Sequence, residues 1–226
     1  MNSRIFSHFS ETVGDYDTVA EKVVWKNNEV HEHLVKALDF GKNEKLKFLD
    51  LGCGTGHGMS LILKEFPNSK IIGIDFSERM TEKARENLSQ FEGRFELETL
   101  DFNDWEFLEG FDAVVSAIAI HNSTHEQNEK LFGKVFACLK SQGLFINGDF
   151  VEGETPEENQ KFRQDYKTFL EKNLQGNELK AWLKHAFEQD NPLKLSRQFA
   201  MLEKAGFKEL KQLWQFNNEA LYSARK

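Results

Sequence analysis

Apolar residues along this chain alternate between short continuous runs and stretches in which they recur every three to four positions. The runs read as buried strands and the spaced stretches as helices with one apolar face. From Thr18, the positions Val19, Val23 and Val24, then Val30, Leu34, Ala37 and Leu38, predict two helices with Asn27-Asn28 as break and cap. Strands are predicted at Leu46–Leu51, Ile71–Asp75, Phe95–Leu100, Phe111–Ser116 and Leu144–Phe150. Helices fall between them: His57–Phe66; Ser77 as cap to about Phe91, with Met80, Ala84 and Leu88 on one face; and a helix after Ser123 with Leu131, Val135, Phe136 and Leu139 inward. Ser123 and Glu126 have capping-box spacing, and Lys140–Gly143 closes that helix with Gly143 as the turn. Strand and helix in alternation imply a parallel, doubly wound α/β sheet.

After Phe150 the pattern changes. Residues 151–195 read as charged helices without strand signals: Thr155-Pro156-Glu157-Glu158 is a capped start, Phe162, Tyr166, Phe169, Leu170 and Leu174 form one stripe, and Trp182 and Phe187 belong to a second helix. Ser196–Ala205 predicts one more helix with Gly206 as its C-cap, and Phe207–Phe216 with Glu219–Ala224 a closing strand pair around Asn217-Asn218. At 226 residues the chain suits one domain, able to bury roughly 70% of its unfolded surface. Its first 17 residues carry Phe6, Phe9 and Tyr16, which suggests a lid that folds over something.

Composition narrows the function classes. Acidic residues outnumber basic ones 37 to 29, for a net charge of −8, and no Lys/Arg block is present, which disfavours nucleic acid as a partner. The N-terminus lacks a signal-peptide core, and the longest apolar stretch, Ala113–Ile120, is far short of the ~20 residues a bilayer requires. A soluble cytoplasmic protein with no membrane contact is expected. Cys53 and Cys138 read as buried thiols; His31, His33 and His125 look solvated, and no set of residues suggests a metal.

The chemistry concentrates at Phe48–Gly58, FLDLGCGTGHG. Gly52, Gly54 and Gly56 follow a core strand and precede a helix, so a ligand can touch bare backbone beside a helix N-terminus. The strict dinucleotide pattern Gly-x-Gly-x-x-Gly fails, because its last position is His57 or Met59, and a nicotinamide oxidoreductase is disfavoured. Asp75, about 20 residues past Gly56 at the tip of the next strand, stands where such folds hold two ribose hydroxyls.

The pattern Asp50-x-Gly52-x-Gly54-x-Gly56 resembles motif I of the class I S-adenosylmethionine-dependent methyltransferases, and motifs I to IV follow in order over residues 46–150. The resemblance implies a Rossmann-like, mostly parallel seven-stranded sheet with N-terminal helices and a helical insertion after the fifth strand. It divides a single domain 1–226 into an N-terminal lid and helices (1–40), a cofactor core (46–150), a substrate-pocket insertion (151–195) and a C-terminal helix and strand pair (196–226). The implied cofactor is S-adenosyl-L-methionine, and the implied reaction is methyl transfer to an O, N or C nucleophile of a small molecule.

By the same resemblance Asp50 engages the methionine part, Asp75 the ribose, and Asp101-Phe102 the adenine, with Gly52, Cys53, Gly54, Gly56, Phe76, Met80 and Ser116 completing the cofactor site and Trp105 a candidate adenine cover. His121 and Asn122, in the segment similar to motif IV, are the catalytic candidates together with a Tyr16 lid; Phe9 is a second lid candidate. His121 is the candidate general base, against the alternative that His121 and Asn122 only orient substrate or bind loop backbone. In the family the insertion builds the acceptor pocket or a homodimer contact. The tail Leu202–Phe207 with Leu213–Phe216 is also similar to the carboxy-S-adenosylmethionine-using tRNA wobble-uridine methyltransferase, which makes tRNA modification the alternative function. That enzyme clamps the extra carboxylate with an arginine in the insertion, whereas Tyr166–Ser196 contains none, favouring the ordinary cofactor. A non-catalytic cofactor-binding protein is the other alternative.

Overall fold

The computed structural model describes residues 16–106 and 108–226, with side chains from residue 18 onward. Its elements, in chain order, are α1 (Tyr16–Val23), α2 (Asn27–Lys36), β1 (Lys47–Leu51), α3 (His57–Glu65), β2 (Lys70–Asp75), α4 (Glu78–Asn87), β3 (Phe95–Thr99), β4 (Phe111–Ala117), α5 (His125–Cys138), β5 (Leu139–Glu152), α6 (Pro156–Asn173), α7 (Gly176–Lys184), β6 (Leu193–Lys194), α8 (Leu195–Ala205), β7 (Lys208–Phe216) and β8 (Glu219–Arg225). Strand order is β3-β2-β1-β4-β5-β8-β7, with β6 attached to β5. The first five strands run parallel, and β8 and β7 close the sheet antiparallel.

Successive strand residues face opposite sides, so one run of apolar residues serves two cores. Leu49, Leu51, Ile72, Ile74 and Phe145 pack on one face with Leu131 and Val135 of α5 and Leu202 of α8. Phe48, Ile71, Val115 and Ile146 pack on the other with Leu34 of α2, Ile62 of α3 and Ala84 of α4. Each fully buried Leu, Ile or Phe contributes roughly 1.5–3 kcal/mol, so these two layers hold the strand tips in place. A third cluster joins α1 to the insertion through Val23, Val24, Phe150, Tyr166, Leu170 and Trp182.

Several local expectations shift. The break between the first two helices falls at Val24–Lys26, and Asn27 is the first residue of α2 instead of its cap. Glu219, wholly buried at the start of β8, accepts the Trp25 and Lys26 amides at 2.6 and 3.2 Å and terminates the helix entrance from across the fold. The capping box is Thr124 with Gln127, one residue later than expected, because Ser123 instead accepts from Asn103 Nδ2. Ser77 caps α4 through the Met80 amide, but α4 ends at Asn87 and a 3-10 turn carries the chain to Phe91. Strand β5 begins at Leu139, bulges against β4, and turns at Gln142 (φ 64°) instead of Gly143.

The insertion contains a strand after all. Leu193 and Lys194 pair in parallel with Val151 and Glu152. Two residues are too few for a periodic signal, and the pairing is supplied by β5.

Candidate active site

The parallel strands end on one side of the sheet, and there the glycine loop leaves β1. Gly52 lies at φ 77°, and a β-carbon on it would collide with that of Ala119, so the close approach of the two loops requires glycine. Asp75, at the tip of β2, accepts the Gly54 amide on Oδ2 and the Ser77 amide on Oδ1, each at 2.9 Å. These two bonds aim the carboxylate at the loop. A cleft opens in front of it, lined by Gly52, Gly54, Asp75, Phe76, Met80, Phe102, Ala117, Ile118, Ala119 and Asn122.

Other expected site residues lie behind or beside that cleft. Asp50 is buried, and its Oδ2 stands 3.6 Å from where a Gly58 β-carbon would be. Burial, reinforced by the charge of Asp75, raises the Asp50 carboxyl to about 7; burial raises Asp75 to about 6 against the two amides that favour its ionised form. Cys53 sits under the loop, where Met59 Sδ and, next, Cys53 Sγ occupy the space a side chain at Gly73 would need; this explains the glycine in the middle of β2. Ser116 is fully buried and donates to the Leu51 carbonyl at 2.7 Å, tying β4 to the start of the loop. Gly56, at φ 81°, faces Ala84 of α4 and Leu88 just past its end. Asp101 is half-buried and accepts from the Asn103 amide and side chain, a turn that presents Phe102 to the cleft. Trp105 packs toward Phe111 against the core and does not line the cleft.

His121 is buried in a 3-10 turn after β4 and faces away from this cleft. Its Nδ1 donates to Asp149 Oδ1 at 2.5 Å, its amide to Asp149 Oδ2 at 2.9 Å, and its Nε2 is 4.0 Å from Asp190 Oδ2. Burial alone would lower its pKa, but the charge of Asp149, the hydrogen bond to it and the charge of Asp190 raise it to about 9. It is an imidazolium at neutral pH, and a proton-free base near neutrality is not what the resting structure holds. The sequence shows the histidine but not its two carboxylate neighbours, from β5 and the insertion.

His121 belongs to a second, small cavity lined also by Val19, Val23, Phe150, Tyr166, Trp182, His185 and Asp190. Ile118 lines both cavities. A β-branched residue at φ 53° is a strained backbone, held here by its amide bond to the Gly148 carbonyl at 2.8 Å. The Tyr16 side chain and Phe9 lie outside the described residues.

A family model described as a methyltransferase domain matches residues 42–189. The chain belongs to the class I S-adenosylmethionine-dependent methyltransferases. Over 200 residues it is 30% identical to the carboxy-S-adenosyl-L-methionine synthase of Nautilia profundicola, covering 86% of this chain and 85% of that protein. It is 31% identical over 146 residues to the malonyl-[acyl-carrier protein] O-methyltransferase of Acetivibrio thermocellus, covering 63% of this chain and 48% of the relative. Human N-acetylserotonin methyltransferase, solved with S-adenosylmethionine, shares the fold at a TM-score of 0.62 and 18% identity, over 92% of this chain and 54% of that one.

The cofactor of this methyltransferase is S-adenosyl-L-methionine, and the cleft fits it. Bare glycine backbone and a carboxylate with lone pairs left for hydroxyls meet at one end. In the same lining, Asn122 Oδ1 is buried without a hydrogen-bond partner among the described residues, an acceptor whose desolvation is uncompensated until a ligand arrives. When bound, the cofactor supplies a methyl group on a sulfonium.

Two histidines expected to be a solvated residue and a helix start, His31 and His57, meet near the methyltransferase's loop. The His31 ring of α2 comes within 3.6 Å of the Gly58 β-carbon position that Asp50 also approaches, and it lies 4.9 Å from the His57 ring. His31 Nδ1 donates to the Asn27 carbonyl at 2.8 Å. Only the packing of α2 on α3 brings them there. His33 stacks on Trp214 at 5.4 Å, so neither it nor His31 is simply solvated.

Proposed function

We propose that this methyltransferase acts on a small free molecule held in the second cavity. The observation that carries this reading is that the cofactor cleft and a second, mostly apolar space adjoin at Ile118. Helices α1, α6 and α7 wall that space, and an acceptor entering it must part them. Asp75 takes the ribose hydroxyls, Asp101-Phe102 and Met80 the adenine, and Asp50 with His31 the methionyl end. Gly56, Cys53 and Ser116 shape the loop from below, and Phe76 closes its side. Asn122 orients the reacting groups, and His121 is a positioning residue whose charge fixes Asp149 and Asp190. The methyltransferase works in the cytoplasm, whose reducing conditions suit the unbridged Cys53 and Cys138.

The chain's own contribution is alignment and water exclusion, since a sulfonium methyl already carries its leaving group. Incubation of the full chain with labelled cofactor and fractionated metabolite extract should release S-adenosylhomocysteine in a few fractions. Release only with RNA or acyl-carrier protein would overturn the small-molecule reading.

Similarity to a carboxy-S-adenosyl-L-methionine synthase over nearly the whole chain supports a second reading, modification of the cofactor itself. Against it, Tyr166–Ser196 holds no arginine. Mass spectrometry of the copurifying cofactor distinguishes the two, because the second reading requires it to carry an additional carboxyl group.

A further inference from the structure

The edge of the sheet opposite the cofactor cleft holds a hollow of its own. Lys47, Lys70 and Phe95 are the first residues of β1, β2 and β3, and around them opens a groove of about 560 Å³, a size that suits a small ligand. Strand β2 runs six residues from Lys70 to Asp75, so at about 3.3 Å per residue roughly 16 Å lies between this groove and the carboxylate of the cleft.

The charge of the groove opposes that of the chain. The protein carries −8 overall, yet the groove is lined by Lys45, Lys47, Lys70 and Arg94 against the one carboxylate of Glu96. Arg94 is already committed: its guanidinium donates to the Leu63, Phe66 and Ser69 carbonyls at 2.9, 2.7 and 3.2 Å and so satisfies the C-terminal end of α3. The three lysines are not committed. Among the described residues their ammonium groups form no ion pair, whereas Lys42 is paired with Glu65 and Lys140 with Asp112, each at 2.7 Å. Lys47 Nζ stands 4.5 Å from the centre of the Phe111 ring, a contact that leaves its charge without a counter-ion. Like charges gathered on one concave surface repel one another and focus a positive field into it, so an anion placed there is favoured on both counts.

The rest of the wall is apolar. Leu108 is 55% exposed and lines the groove together with the half-buried Phe95 and the edges of Leu46 and Ile71. A single exposed leucine is ordinary on a protein surface; one that shares a groove with three unpaired cations fits a ligand of two characters. We propose that this groove is a separate binding site for a small organic anion, its carboxylate, sulfonate or phosphate head among Lys45, Lys47 and Lys70 and its apolar body against Leu108 and Phe95. The sheet stands between this ligand and the cofactor, so it is not a methyl acceptor. A nucleic acid backbone would need a longer track of cations, and an acidic segment of a partner protein would lie across the hollow without filling it.

Fluorescence titration of the full chain tests this with two dyes, 8-anilinonaphthalene-1-sulfonate and N-phenyl-1-naphthylamine, which share their rings and differ in the sulfonate. Each is titrated with and without saturating S-adenosylhomocysteine. The sulfonate is expected to bind about tenfold more tightly than the neutral dye, equally well in both conditions. Lys45→Glu combined with Lys70→Glu, both at exposed positions, should remove the preference while the thermal midpoint and S-adenosylhomocysteine affinity stay unchanged. Equal binding of the two dyes to the unmodified chain would overturn the inference without reference to any variant. Displacement of the sulfonate by S-adenosylhomocysteine, which would put the dye in the cofactor cleft, or a preference that survives the charge reversal would overturn it too. Binding of a polyglutamate peptide in place of the sulfonate dye would assign the groove to an acidic protein segment and overturn the small-ligand site.

Discussion

Asp149 holds His121 twice, through the ring at 2.5 Å and through the backbone amide at 2.9 Å, and both partners are buried. The pair fixes the turn after β4 to β5, and so sets where the wall between the two cavities stands.

That pairing has a pH signature. The pKa of His121 is about 9 in the folded chain against 6.5 unperturbed, so its stabilising contribution is complete below about pH 6.5 and is lost as pH rises through 9. The thermal midpoint of the cofactor-free chain should fall across that window. In His121→Asn the fall should flatten; an unchanged slope in scanning calorimetry would refute the assignment.

Asp75→Ala removes the acceptor of the Gly54 and Ser77 amides as well as the proposed ribose contact. Cofactor affinity should drop at least 100-fold by calorimetry, and stability by about 1–3 kcal/mol in urea titration because two amides lose their partner. Asp75→Asn, which keeps one acceptor, should recover part of the stability and little of the affinity.

Asp50 and Asp75 are raised to about 7 and about 6, which destabilises their charged forms in the empty cleft. Their contribution to folding is complete below about pH 4 and is lost as pH rises through those values. A cationic cofactor prefers both carboxylates ionised, so its affinity should rise between about pH 5 and 8 with release of protons. Asp50→Asn should reduce the number of protons released, measured by calorimetry in buffers of different ionisation enthalpy.

Glu219 anchors the start of α2, and burial raises its carboxyl to about 8. Glu219→Ala should cost about 1–3 kcal/mol, as two inward amides lose their acceptor. Hydrogen exchange should quicken at Trp25 and Lys26 ahead of the central strands. Uniform quickening over the whole sheet would mean that the anchor is not local.

Ile118→Gly should relieve roughly 1–3 kcal/mol of left-handed strain while giving up side-chain packing, leaving the midpoint little changed. Opening the wall between cavities should broaden acceptor choice, seen as a flatter activity ranking among small acceptors of increasing size.

The alternation of strand and helix, the glycine loop, Asp75 at a strand tip and the caps at Ser77 and Thr155 were all readable from residue order, because each depends on periodicity or on neighbours a few positions away. What residue order alone could not supply is pairing across the chain. Asp149 meets His121 over 28 positions and Glu219 meets Trp25 over 194, while Asp190 and His31 reach their neighbours only because β6 docks on β5 and α2 on α3. Burial then alters the chemistry of those groups, raising one histidine and three carboxyls. Desolvation and the charges of groups brought together are properties of packing, so a histidine that reads as a base along the chain is an imidazolium once the sheet has closed.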